Sequence, residues 1–141
     1  MLGASGRLGR ALLRRFRASG ISISALSHND LDLARPEEIE GILSRQDFNV
    51  LINTAGLTDV DYCEAREVLA HVVNGTTPGV IAKHCEARGA RCVQISTDYV
   101  FDGSKREPWV PADPIHPQSV YGLSKAEGER LVRENLPQHV I

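Results

Sequence analysis

Short apolar runs alternate with longer stretches of helical period from one end of this chain to the other. That alternation predicts an α/β fold with a doubly wound parallel sheet, because parallel neighbours can be joined only by a crossover, most often a helix. Gly9 to Ser19 reads as a helix with Leu12, Leu13 and Phe16 along one side, closed by Gly20. Ile21 to Leu26 reads as a strand. Pro36 to Leu43 reads as a helix, with proline in its first turn and acids just behind it. Val50, Leu51 and Ile52 form a strand ending at Asn53. A long helix is expected over much of Glu67 to Arg88, bent or interrupted at Gly75, Pro78 and Gly79. Arg91 to Ser96 is a third strand. A loop with Pro108, Pro111, Pro114 and Pro117 precedes a helix over Val120 to Glu134, and Val140-Ile141 open another strand.

One domain over residues 1–141 is the expectation from length, and 42% apolar residues leave room for a core. Sixteen Lys plus Arg against eighteen Asp plus Glu give a charge of −2, no case for nucleic acid or an anionic membrane as partner. The apolar runs are too short for a membrane span or a signal core. Cys63, Cys85 and Cys92 are odd in number and lack C-x-x-C spacing, which reads as idle thiols in a reducing, cytoplasmic setting. The five histidines lack zinc-ligand spacing, so no metal site is expected. Both ends read as cut. A phosphate-binding turn is normally fed by a strand of about five residues, whereas only Met1 and Leu2 precede Gly3.

Gly3-Ala4-Ser5-Gly6-Arg7-Leu8-Gly9 spaces its glycines by three ahead of a helix. A strand-to-helix turn that binds a dinucleotide needs positive φ at one glycine, bare backbone beside the pyrophosphate at another, and a third where the helix packs close. Helix amides then meet the phosphates. Of the arginines that follow, Arg10, Arg14, Arg15 and Arg17 read as a solvated helix face, while Arg7 sits within the turn. After the Ile21–Leu26 run, Ser27-His28-Asn29-Asp30 places neither an arginine for a 2′-phosphate nor an acid at the strand's end, so NADH and NADPH stay open.

Tyr121-Gly122-Leu123-Ser124-Lys125 places a phenol and an ammonium one helical turn apart. A cation that close favours the phenolate and suits tyrosine to general acid–base work. The pair follows a hydroxyl-bearing strand end, Ile95-Ser96-Thr97, at the sheet's carboxyl edge, where open α/β folds bind ligands.

The glycine turn, Asn53-Thr54-Ala55-Gly56, the strand end and Tyr-x-x-x-Lys together resemble an extended short-chain dehydrogenase/reductase with a Rossmann-like domain. Ser96-Thr97-Asp98-Tyr99-Val100-Phe101-Asp102-Gly103, with Pro114, Pro117 and Tyr121 to Glu129, is similar to the dTDP-4-dehydrorhamnose reductase family over nearly the whole chain. Nucleotide-sugar epimerases of the same superfamily usually show a different segment there, ending in V-Y-G, and another such epimerase or a dehydratase is an alternative.

The resemblance implies NADH- or NADPH-dependent reduction of the C4 ketone of a dTDP-4-keto-6-deoxy-L-sugar to give dTDP-L-rhamnose. It makes Thr97, Tyr121 and Lys125 the catalytic triad, with Thr97 and Asp98 at the sugar. It assigns Gly3, Gly6, Arg7, Leu8 and Gly9 to the pyrophosphate, Asp32 and Leu33 to the adenine, and Ala55, Gly56 and Thr58 to the wall between adenosine and nicotinamide. Tyr121 and Lys125 also touch the cofactor in this scheme, and Asn74 matches a helix asparagine of the superfamily. The family usually has an alanine-rich segment in place of Thr54-Ala55-Gly56. Its second half completes the sugar pocket, so this chain is expected to lack most substrate specificity, and the full-length protein to be a possible homodimer. The family also includes the regulatory β subunit of methionine adenosyltransferase, which makes a non-catalytic binding subunit the alternative.

Overall fold

The computed structural model describes all of residues 1–141. Its elements run α1 (Arg7–Ala18), α2 (Pro36–Leu43), β1 (Val50–Asn53), α3 (Val60–Ala65), α4 (Glu67–Ala70), a π-helix (His71–Thr76) and α5 (Thr77–Arg88). Then come β2 (Arg91–Gln94), a 3-10 turn (Asp98–Val100), α6 (Val120–Asn135) and β3 (His139–Val140). The three strands are parallel in the order β1-β2-β3, with Val50 opposite Arg91 and Cys92 opposite His139.

Leu2 extends this sheet at its other side. It bridges in parallel to both Asn53 and Leu26, its N–H donating to the Ile52 carbonyl at 2.9 Å and its carbonyl accepting from the Thr54 N–H at 3.2 Å. The expected strand over Ile21 to Leu26 is reduced to that single bridge at Leu26. A strand needs a ladder, and here the backbone bonds are few: Leu26 donates to the Met1 carbonyl at 2.9 Å and accepts from the Ala4 N–H at 3.0 Å, and the Ser24 carbonyl accepts from the terminal amine at 2.6 Å.

One face of the sheet makes the core. Leu51 and Cys92 point into it with Leu2, Ile39, Leu43, Ile81, Cys85, Val132 and Leu136, burying residues of α2, α5 and α6 against the strands. On the other face, α1 buries only Gly9, and Phe16 shares a groove of about 550 Å³ with Ile21, Phe48 and Val50.

Several elements differ from the reading of periodicity, α1 among them, which begins at Arg7 and not at Gly9. The short α3 was not anticipated; Asp59 caps it by accepting from the Tyr62 N–H at 2.9 Å. The expected Glu67–Arg88 helix is interrupted at the π-helix that contains Gly75, whereas Pro78 lies in the first turn of α5, where its missing N–H costs nothing. β2 also ends two residues early, because the Ile95 carbonyl leaves the ladder to accept from side chains, Gln94 Nε2 at 3.1 Å and Lys125 Nζ at 2.5 Å. In the loop before α6, the sole tryptophan, Trp109, stacks on Phe101 with ring centroids 4.5 Å apart, and Lys105 lies over its ring.

Candidate functional site

At the carboxyl end of the sheet a cavity of about 460 Å³ opens between the glycine turn, the Ser27–Ala34 loop and the end of β1. Six expected cofactor residues line it: Gly3, Gly6, Asp32, Leu33, Ala55 and Gly56. The turn has the geometry that its glycines suggest. Gly3 has φ +74°, and a Cβ there would lie 2.7 Å from both the Thr54 hydroxyl and the Ala55 nitrogen. A Cβ at Gly9 would fall on the Gly3 carbonyl oxygen, which is how α1 comes so close to the turn.

Arg7, Leu8, Gly9, Thr58, Tyr121 and Lys125 do not line the cavity. Gly9 is buried beneath the turn, and Arg7, Leu8 and Thr58 are exposed. Arg7, Leu8 and Gly9 nevertheless occupy the first three positions of α1, where amides have no intrahelical acceptor. No side chain caps this end and no acid sits in its first turn. A small, bare, amide-rich cradle without a carboxylate fits a pyrophosphate.

The cavity has further walls that the sequence did not point to, Ser27, His28 and Tyr62 among them. Ser27 and His28 follow the Leu26 bridge directly, and Tyr62 arrives with the unanticipated α3. Asp30 is turned to its own loop: its carboxylate accepts from the Ser27 hydroxyl at 2.6 Å and the Ser27 N–H at 2.8 Å, bonds that hold it below the usual carboxylate range. Asp32 accepts from the Ala34 N–H at 2.9 Å.

The second half of the site is built on α6. Ser119 caps that helix, accepting from the Gly122 N–H at 3.1 Å. Tyr121 and Lys125 are both buried, 8% and 7% exposed, one turn apart. Lys125 Nζ donates to the Ile95 carbonyl. Burial pushes the ammonium down to about 8, with the Glu129 carboxylate acting in the opposite direction. Thr97 caps the 3-10 turn, its hydroxyl accepting from the Tyr99 N–H and donating to Asp98, each at 3.2 Å. The Tyr99 ring meets the Tyr121 ring edge-on at 5.5 Å, which docks the turn against the start of α6. Asp98 is exposed beside it.

Asn74 joins the two halves. Its amide donates to the Leu57 carbonyl at 2.9 Å and to the Ser124 hydroxyl at 3.1 Å, while its oxygen accepts from the Leu57 N–H at 2.9 Å. Leu57 is a wall of the cavity, and Ser124 lies between Tyr121 and Lys125. α6 comes close enough for this because Gly128 carries no side chain; a Cβ there would strike the Asn74 carbonyl.

No cluster of three or more His, Cys, Asp or Glu side chains is arranged to hold a metal ion. No helix is long and apolar enough to cross a membrane.

Comparison with known proteins gives a consistent picture. A family model described as "RmlD substrate binding domain" matches residues 1–141. The dTDP-4-dehydrorhamnose reductase of Mycobacterium tuberculosis is 38% identical over 143 residues, a match covering 99% of this chain and 46% of that protein. The crystal structure of a dTDP-4-dehydrorhamnose reductase from Clostridium acetobutylicum superimposes with a TM-score of 0.93 at 37% identity, over 98% of this chain and 49% of that one. That of Bacillus anthracis, solved in complex with NADP, gives 0.91 at 30% identity, over 98% and 49%. The chain thus spans about half the length of the relatives it matches.

Proposed function

The chain belongs to the RmlD-like dTDP-4-dehydrorhamnose reductase family, and on that premise we propose that it is the cofactor-binding and catalytic-triad half of an NAD(P)H-dependent reductase. The reaction is reduction of the C4 ketone of a dTDP-4-keto-6-deoxy-L-sugar to the alcohol of dTDP-L-rhamnose. A bound NADH or NADPH supplies the hydride for that carbon.

The rest is the work of the chain's own groups. Gly3 and Gly6 leave room for the pyrophosphate, which the first-turn amides of Arg7, Leu8 and Gly9 would hold, and Asp32 and Leu33 would flank the adenine. Ala55, Gly56 and Thr58 shape the passage toward the nicotinamide. The Lys125 ammonium has three donors and gives one to Ile95, which leaves two for the nicotinamide ribose hydroxyls. Tyr121 delivers the proton that the sugar oxygen needs as its carbon is reduced. Thr97, its hydroxyl turned from Asp98 to the substrate, would hydrogen-bond the same sugar and help orient the carbonyl.

The observation that carries this reading is the burial of Tyr121 and Lys125 on one turn of α6, with the ammonium on the carbonyl two residues before Thr97. The test is turnover by the full-length protein, whose second half completes the sugar pocket in this family: incubation with a dTDP-4-keto-6-deoxy-L-sugar and each reduced nicotinamide, followed by loss of nicotinamide absorbance and by chromatography of the sugar product. Formation of dTDP-L-rhamnose is the expected result. Failure to bind either cofactor, or binding with no sugar reduced, overturns the proposal.

A further inference from the structure

Lys125 and Glu129 are the two charged side chains among the buried polar residues, and the reduction chemistry above gives Glu129 nothing to do. They stand one turn apart on α6 and reach adjacent residues of the segment that leaves β2. Lys125 Nζ meets the Ile95 carbonyl at 2.5 Å, and Glu129 Oε1 accepts from the Ser96 hydroxyl at 2.5 Å. The other Glu129 oxygen accepts from Arg133 at 3.0 Å. Thr97 is the next residue along that segment. Two polar links therefore fasten the strand end to the helix immediately before the candidate catalytic hydroxyl.

We propose that Glu129 is a positioning residue, whose carboxylate grips Ser96 and sets a negative charge one turn from Lys125. This keeps the ammonium charged on the Ile95 carbonyl and the Thr97 segment docked on α6. The assignment rests on the reading of Lys125 and Thr97 as site residues. Its physical basis is that a buried ammonium is disfavoured by lost hydration and retained only where an opposite charge compensates.

Among the carboxylates near α6, Glu64 of α3 accepts from the Val120 N–H at 2.8 Å at the helix start, which leaves Glu129 as the compensating group. On α6 the ionisable neighbours are Tyr121 and Arg133, the latter taken up by Glu129 itself. The strands contribute neutral Asn53 and Gln94. The strand end and 3-10 turn contribute neutral Ser96 and Thr97, exposed Asp98, and Tyr99 against Tyr121. From the π-helix, His71 is paired with Glu127. Burial lowers the Lys125 value to about 8 and Glu129 opposes that fall, in accord with the geometry.

The experiment is an NMR titration of ε-carbon-labelled lysine without cofactor, the Lys125 signal being assigned by its loss in Lys125→Met. In Glu129→Gln the ammonium should give up its proton about tenfold more readily, a fall of about one pH unit in its midpoint. Ser96→Ala, which keeps the charge but frees it to move, should lower the midpoint by less. NADPH affinity of Glu129→Gln, read by nicotinamide fluorescence, should fall further below wild type above about pH 8 than at neutral pH. A Lys125 midpoint unchanged in folded Glu129→Gln overturns the proposal. Should that variant fail to fold, an unchanged midpoint in folded Ser96→Ala overturns it instead. A wild-type protein that binds no nicotinamide would count against the reductase reading and leave the titration result standing.

Discussion

The side chain of Asn74 pairs with both the N–H and the carbonyl of Leu57, each at 2.9 Å, as a neighbouring strand would. A buried loop backbone is thereby satisfied without any sheet. The amide's remaining donor goes to Ser124 on α6, so one residue of the π-helix fixes the cavity wall and the triad helix relative to each other. Replacement by alanine strands the Leu57 groups. Asn74→Ala should cost about 2–4 kcal/mol in urea unfolding, from one or two buried polar groups left unpaired. Cofactor affinity should fall in the same variant, and a change below about 0.5 kcal/mol would show that water replaces the amide.

Tyr121→Phe keeps the ring and its contact with Tyr99 while removing the hydroxyl. Turnover of the keto-sugar should drop by about 100- to 10,000-fold, the usual span for loss of a general acid. Nicotinamide affinity should stay within about threefold, because the pyrophosphate and adenine contacts are elsewhere. Steady-state kinetics beside a fluorescence titration checks both, and unimpaired turnover removes Tyr121 from the proton's path.

Lys125 gives a pH dependence whose sign follows from its burial. Its value falls from 10.5 unfolded to about 8 folded, so between these limits the unfolded chain holds the extra proton. Folding stability contributed by this group therefore rises with pH from about 8 to 10.5, by up to roughly 3 kcal/mol. Chemical unfolding at a series of pH values should show the slope, and Lys125→Met should flatten it. Cofactor affinity should move oppositely, weakening as pH passes about 8 and the ammonium loses its charge.

Gly9→Ala puts a methyl group where the Gly3 carbonyl stands. Either α1 backs away or the turn deforms, at about 1–3 kcal/mol of overpacking. Thermal unfolding should register the loss, and in the full-length protein the variant should gain less melting temperature from NADPH than wild type does. A variant with normal melting and normal protection by NADPH would show that the turn does not depend on this close approach.

The helices α1, α2 and α6 were legible because each carries its own period, with Gly20 closing α1 and Pro36 opening α2; the start of α1 at Arg7 and the Ser119 cap of α6 came from the structure. Tyr121 and Lys125 share a face for the same local reason, an offset of four. The Ile21–Leu26 segment misled because strand character in the sequence states only a capacity to pair, and pairing depends on the neighbour that is present. His28 and Tyr62 escaped notice as cavity walls because they reach the cavity through folding of the Ser27–Ala34 loop and of a six-residue helix. Likewise, nothing local to Lys125 told that its partner would be a carbonyl thirty residues away. The glycine turn was the intermediate case: the spacing announced the bend, and only the packing showed which glycine faces the cavity and which lies under it.

The stacked Phe101–Trp109 pair has a practical consequence. With one tryptophan in the chain, placed in the loop that links the Thr97 turn to α6, emission excited at the red edge of the indole band, which spares the three tyrosines, reports on that loop alone. Ultraviolet excitation of the unlabelled protein gives an optical readout of whether the loop shifts when a nucleotide sugar arrives. Energy transfer from the indole to a reduced nicotinamide would give the separation of the two.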